Sequence, residues 1–383
     1  MIITGRKKKI SIIGKGTAGC LNAINFYYQF PNIEIDWYFD PNKPQQAIGE
    51  GSTLSLPRLL KFTGLKYEDF SSIGATNKIG IRKINYKGSG DYRNDFDIGT
   101  ISMHFDATKL QNFSKNHLKN KVNLIPKEIT DYNKIDSDYI INCTGTPEEW
   151  TDYNIIDSTP VNHVHVTQCY WDKPEFDYTL TIARPYGWVF GIPLENRCSI
   201  GYLYNDKINS LDDVKEDVQN VFNDYNLTPN KDFKHFSFKN YYKKKNFTDR
   251  VAYNGNASFF IEPLEANALA NVEYIHHLTH QILNNIISPK MANLLYTEKI
   301  KEVERELSIH YYAGSKFQSP FWENAYKKSL QPIQELIGDP KFKKIFQGGY
   351  NNSEYAQWGG HIWELNLKNL GIYNNIKNKI KWH

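Results

Sequence analysis

Hydrophobic and polar positions change period along the chain, and the changes predict its elements. Lys9 to Ile13 is a short β-branched run, followed at once by Gly14-x-Gly16-x-x-Gly19. Ala18, Leu21, Ile24 and Tyr28 then recur at helical spacing, and Pro31 ends that helix. Ile33 to Phe39 reads as a second strand, with Asp40 and Pro41 at its tip. Asp138-Tyr139-Ile140-Ile141-Asn142-Cys143-Thr144-Gly145-Thr146 is a buried-type strand running into a Thr-Gly loop, and Gly255 to Pro263 reads as a further return to the same sheet. Between these, residues 76–105 and 160–205 alternate apolar and polar positions around turn glycines, which predicts an inserted antiparallel sheet. From about residue 268 the period becomes helical. Val272, Ile275, Leu278, Ile282 and Ile286 form one stripe expected to end at Pro289, with further helices from 291 onward. Neither a repeat nor a low-complexity linker separates the segments, so the modules are expected to interleave.

The opening pattern carries chemistry. Glycines let a backbone approach a pyrophosphate at a helix N-terminus, and an acid at the tip of the second strand accepts ribose hydroxyls. Gly14, Gly16, Thr17, Ala18, Gly19 and Asp40 are therefore candidate dinucleotide contacts; the spacing does not separate FAD from NAD. Composition narrows the partners. Forty-six Lys and Arg against 42 Asp and Glu leave a net charge of +4, too even for nucleic acid or an anionic membrane as main partner. No apolar run approaches the roughly 18 residues of a membrane span. The basic cluster at Lys7 to Lys9 runs into a strand, unlike a signal peptide. Cys20, Cys143, Cys169 and Cys198 lie far apart without paired spacing, which argues against zinc and for free thiols in a cytoplasmic setting. His276, His277 and His280 share a helix but lack a metalloprotease-type pattern, so no metal site is expected.

Several ordered segments resemble the flavin-dependent tryptophan halogenases. The opening GKGTAGCLNA is similar to the family's glycine loop, and IGEGSTLSLPRLL from Ile48 is similar to its flavin strap, which places Glu50 and Ser52 there. Asn77-Lys78-Ile79-Gly80-Ile81 resembles the segment of the catalytic lysine. Gly187-Trp188-Val189-Phe190-Gly191-Ile192-Pro193-Leu194 followed by Gly201-Tyr202-Leu203-Tyr204 resembles the WxWxIP signature and the run after it. Gly255-Asn256-Ala257 with Phe260-Ile261-Glu262-Pro263-Leu264-Glu265 resembles GNAxxFxDPLE, and His310-Tyr311 with Ser319-Pro320-Phe321-Trp322 echoes a late pair.

The resemblance implies an α/β fold, a GR2/PHBH-like three-layer Rossmann-type module. It predicts an FAD-binding module over 8–290, interleaved with a substrate-side antiparallel sheet at about 76–105 and 160–250, and a helical C-terminal subdomain over 291–383. The implied enzyme is a halogenase in which reduced FAD, O2 and a halide ion give hypohalous acid, and Lys78 presents the halogen to an electron-rich aromatic of phenol or indole type. Glu265 is the implied carboxylate partner. Trp188, Phe190, Ile192 and Pro193 would line the passage from flavin to lysine, and the N–H groups of Asn267 and Ala268 at a helix start are the candidate halide site. A separate flavin reductase is the expected source of reduced flavin. Two departures matter: Ala266-Asn267-Ala268 stands where the family has Ser-Thr-Gly, which favours bromide or iodide in a less polar pocket, and Phe190 replaces the signature's second Trp. A tail shorter than in the tryptophan-specific members leads us to expect a more open site. The alternatives are a flavoprotein monooxygenase that hydroxylates an aromatic and a non-catalytic flavin-binding protein; the second has no need of Lys78 and Glu265 together.

Overall fold

The computed structural model describes residues 8–44, 48, 50–96, 100, 102–230, 232–347 and 360–381. Its first sheet is wholly parallel, in the order Val251–Tyr253, Tyr139–Asn142, Lys9–Ile13, Glu34–Tyr38, Asn123–Ile125. The expected βαβ unit opens the chain, with the helix Thr17–Gln29 between its first two strands. Burial on both faces requires apolar strands, and Ile10, Ile12, Ile141 and Trp37 are all buried. The indole of Trp37 donates to the Gly14 carbonyl at 2.8 Å, tying the second strand to the glycine turn. The Gly255 to Pro263 return divides: Val251–Tyr253 just before it joins this sheet, whereas Phe259–Phe260 pairs with Tyr241–Lys243 in a three-stranded antiparallel sheet.

The inserted sheet corrects the antiparallel expectation in three ways. Its main path runs Thr228–Pro229, His163–Tyr170, Arg197–Tyr204, Gly187–Leu194, Thr179–Arg184, Gly80–Ile84, Asp91–Asp95, and the Thr179–Arg184 to Gly80–Ile84 pairing is parallel. It is therefore a mixed sheet, because residues 76–105 and 160–250 reach it by a long crossover and not by a hairpin. Thr76–Lys78 and Ser102–Phe105 leave it altogether and join Glu50–Gly51 in a small antiparallel sheet. The 160–250 stretch also contains the helix Leu211–Asp224.

The helical stripe also ends differently. The helix Asn267–Leu283 stops where Asn285 turns to φ +57°, so Ile286 lies beyond it, 64% exposed. Pro289 ends nothing; it opens the 25-residue helix Pro289–Ala313, where a missing N–H at the first turn carries no penalty. Tyr296, Ile300, Val303 and Leu307 of that helix share one core with Ile10, Ile12 and Trp37, so the expected boundary near 290 divides no core.

Candidate active site

The glycine loop presents an open backbone. Gly14 has φ +112°, and a Cβ there would lie 2.1 Å from the Cys143 carbonyl oxygen, so only glycine lets the first strand turn this close to its neighbour. Gly16 differs, since a Cβ on it would meet nothing within 4 Å. It caps the helix Thr17–Gln29, and no side chain bonds that helix's first N–H groups. Uncapped donors beside open space fit a dinucleotide pyrophosphate. Asp40 lies just past the second strand, its Oδ1 accepting from the Asn42 N–H at 2.8 Å. Loop, uncapped helix and strand-tip acid together fit a dinucleotide such as the FAD that the resemblance implies.

The strap links this loop to the lysine. Thr17 donates to Glu50 Oε1 at 2.6 Å, and burial pushes the Glu50 carboxyl up to about 7 against that bond. Two residues on, the Ser52 carbonyl accepts from Lys78 Nζ at 3.1 Å. The sequence places Ser52 among the cofactor contacts, and its side chain is held within the fold. Its hydroxyl meets Ser102 Oγ at 2.6 Å and the Met103 N–H at 3.2 Å, so both of its capacities face the interior. Glu50 and Ser52 thus set one end of the strap against the glycine-loop helix and the other against the lysine.

Lys78 ends the strand Thr76–Lys78 and is 2% exposed. Burial lowers its ammonium to about 8, against the nearby charge of Glu265. The Phe96 ring lies 5.8 Å from Nζ, and His104, bonded to Thr179 at 2.8 Å, stays neutral because burial and Lys78 both lower it. A buried amine near neutrality fits the nucleophilic role that the resemblance implies.

Glu265 is not the direct partner of Lys78. Its Oε1 lies 2.6 Å from Lys83 Nζ and 2.8 Å from His310 Nε2, and all three side chains are buried. Burial pushes the Glu265 carboxyl up, but Lys83 and His310 together hold it below the usual carboxylate range. The Lys83 ammonium and the His310 ring on one carboxylate oxygen outbid a third group farther off, since screened Coulomb attraction falls with distance.

Ala266 precedes the helix Asn267–Leu283 in the left-handed region, at φ +52°, and no side chain caps that helix. Asn267 is buried in the first turn, with Ala268 after it. This helix start is where the halide expectation places its anion.

In the strand Gly187–Leu194, Trp188, Phe190 and Ile192 share one face by period two, and Pro193 falls on the other. The Pro193 carbonyl accepts from Thr76 Oγ1 at 2.6 Å and so braces the lysine strand. The Trp188 indole donates to Glu262 Oε2 at 3.0 Å, and the Tyr311 hydroxyl donates to the same oxygen. Burial pushes the Glu262 carboxyl up to about 7 despite those two bonds.

Lys83, His310, Glu262 and Tyr311 are the participants that sequence reasoning did not assign. One signal existed: Lys83 continues the alternation of Ile79 and Ile81, a lysine on an inward register. Among the described residues no cluster of His, Cys, Asp and Glu could hold a metal, and all four cysteines are buried free thiols. His276 is buried against Asn22 and Gln29 at 3.2 Å each. No described helix is long and apolar enough to cross a membrane.

A family profile for tryptophan halogenase matches residues 127–357. Tryptophan 6-halogenase ThaL from Streptomyces albogriseolus is 25% identical over 169 residues, 42% of this chain and 31% of that protein. Tryptophan 7-halogenase RebH from Lentzea aerocolonigenes is 22% identical over 167 residues, with the same coverage of 42% and 31%. The matched stretch thus spans about a third of the length of these curated relatives. In structure, the chain is similar to BrvH, a flavin-dependent halogenase from Brevundimonas sp. BAL3, at a TM-score of 0.80 and 16% identity, over 96% of this chain and 91% of that one. It is also similar to Xcc4156, a flavin-dependent halogenase from Xanthomonas campestris, at 0.78 and 15% identity, over 97% and 93%.

Proposed function

Because the chain belongs to the tryptophan halogenase family, we propose that it is a flavin-dependent halogenase that transfers halogen through Lys78 to an electron-rich aromatic of phenol or indole type. The observation that carries this reading is the strap, which runs from the open glycine loop at Thr17 to a buried lysine whose Nζ bonds a backbone carbonyl. Bound reduced FAD supplies, with O2, the oxidising equivalents that turn halide into hypohalous acid.

The remaining work falls to the chain's own groups. Gly14, Gly16, Thr17, Ala18, Gly19 and Asp40 hold pyrophosphate and ribose, and the N–H groups of Asn267 and Ala268 draw in the halide. Trp188, Phe190 and Ile192 keep water and ring substrates from the oxidising end. The neutral Lys78 amine attacks the halogen of hypohalous acid: an N–halogen bond forms, the O–halogen bond breaks, and the departing hydroxide takes the amine proton to leave as water. The ring carbon then takes the halogen as the N–halogen electrons return to nitrogen, and Glu265 relays the ring proton to that nitrogen, which restores the neutral amine. Halide preference follows the loop, where Ala266-Asn267-Ala268 presents no hydroxyl, so bromide and iodide are favoured over chloride because they dehydrate more easily. Reduced flavin comes from a separate reductase in the cytoplasm.

Mass spectrometry of phenols and indoles incubated with the protein, FAD, a flavin reductase, NADH and each halide in turn tests the reading. The expected result is halogenated product, fastest with bromide or iodide and lost in Lys78→Ala while flavin oxidation continues. Hydroxylated product would make the protein a monooxygenase, and peroxide as the sole O2-dependent product would make it a flavin-binding protein.

A further inference from the structure

Two lysines five residues apart, Lys78 and Lys83, are both buried, and one carboxylate, Glu265, lies near both. Their surroundings differ. Lys83, on the strand Gly80–Ile84, makes the 2.6 Å ion pair with Glu265 Oε1, lies 3.3 Å from Asn366 Oδ1 and has the Tyr92 ring 5.7 Å from its nitrogen. Asn366 comes from the helix Gly360–Asn369 and is held by Asn94 at 2.7 Å, so three parts of the fold converge on this one ammonium. Lys78 reaches no carboxylate at ion-pair distance among the described residues.

We propose that Lys83 is a positioning residue: together with His310 it captures the Glu265 carboxylate and withholds it from Lys78, leaving Lys78 as the uncompensated, nucleophilic amine of the site. The inference rests on the halogenase reading for its catalytic meaning, but its geometry stands alone. A buried amine beside a free carboxylate becomes a stable ion pair and loses its nucleophilic lone pair to a proton. Glu265 must nevertheless stay close to take the ring proton, so the fold needs a second cation to hold it.

The charged and titratable groups around Glu265 come from every packed element. Lys83 and Tyr92 belong to the sheet, Tyr86 to the loop after the Lys83 strand, His310 and Glu306 to the helix Pro289–Ala313, Glu262 to the segment before Glu265, and Lys78 to the small sheet. Burial raises Glu306, Tyr86 and Tyr92, so at neutral pH they stay mostly protonated, whereas Glu262, pushed up to about 7, is divided between its two forms. Burial lowers His310 against the pull of Glu265. Lys83 and His310 are the two groups at contact distance from the Glu265 carboxylate.

The test measures the titration of Lys78 by NMR of lysine-labelled full-length protein carrying oxidised FAD, with the Lys78 signal assigned by its loss in Lys78→Ala. In Lys83→Met the released carboxylate should turn to Lys78 and raise its midpoint by about one pH unit or more. The pH profile of single-turnover halogen transfer should move the same way, while Lys83→Arg keeps both near the parent values. An unmoved Lys78 midpoint in folded Lys83→Met overturns the proposal. Should Lys83→Met fail to fold, Glu265→Gln decides: a small change is expected, whereas a fall of more than one unit would mean that Glu265 already serves Lys78 directly. The NMR midpoints need no turnover. Absence of Lys78-dependent halogenated product would therefore defeat the functional reading and leave this inference to be judged separately.

Discussion

At the residue scale, the site depends on how closely the strap approaches Lys78. A Cβ built on Gly51 would lie 3.3 Å from Lys78 Nζ and 3.4 Å from both His104 Cδ2 and Thr179 Oγ1. Gly51→Ala should therefore push the amine aside and lower halogen transfer about tenfold to a hundredfold, by analogy with other small misplacements of reacting groups. Flavin oxidation should persist, and comparing product formation with flavin oxidation in one assay checks both. Glu306 shows what burial does to a carboxyl with no hydrogen-bond partner. Neither of its oxygens finds one, and burial pushes the group up to about 8. A folded-state value above the unfolded one of 4.5 means that its contribution to stability is fully present below 4.5 and is lost as pH rises through about 8. Glu306→Gln should accordingly raise the melting temperature by several degrees at pH 9, on the order of a few kcal/mol, and change little at pH 5. Equal effects at the two pH values in a thermal melt would contradict this. Sequence offered no route to Glu306 and gave His310 only as part of a resembling segment without a role, since a Glu and a His one turn apart on a long helix look like any other pair until the helix is packed.

At the scale of elements, the helix that opens at Asn267 carries a stored strain. Ala266 before it adopts φ +52°, which a Cβ disfavours by about 1–2 kcal/mol. Ala266→Gly should relieve part of this and stabilise the fold by about 1 kcal/mol in urea unfolding, with an unchanged denaturant slope. Destabilisation would show that the alanine methyl contributes packing that outweighs the strain. This helix also marks how far periodicity reaches. Its stripe of Val272, Ile275, Leu278 and Ile282 was legible, because a buried face imposes helical spacing on any sequence. Its end was not legible. Asn285 turned left-handed without glycine, and Pro289 resembled a stop signal while serving as the first turn of the next helix. The same limit applies to the mixed sheet. Alternation in Gly80–Ile84 and Thr179–Arg184 announced two strands, but a strand's own residues do not record whether its neighbour runs parallel.

At the scale of the whole molecule, one core joins the parallel sheet to the C-terminal helices, from Ile10 and Trp37 through Leu269 and Ile275 to Val303, Phe321 and Trp363. A fragment ending at residue 288 would expose the face that Tyr296, Ile300, Val303 and Leu307 cover, and would lose His310 and Tyr311 from the site. Expressed alone it should show no cooperative thermal transition, whereas the full chain should unfold in one transition by near- and far-ultraviolet circular dichroism alike. While Lys78 and Glu265 stood out only through the family resemblance, the sequence by itself determined the local pattern: the glycine turn with its acid and the strands and helices whose faces must be buried. These are legible because periodicity and side-chain chemistry act within a few residues of one another. Only the tertiary structure decided the pairings: Glu265 with Lys83 and His310, Trp188 with Glu262, Ser52 with Lys78, and Pro193 with Thr76. Each joins segments distant in the chain or side chains whose direction the pleat sets. In a buried site, a charge goes to whichever opposite group the packing brings closest, and no linear pattern encodes that distance.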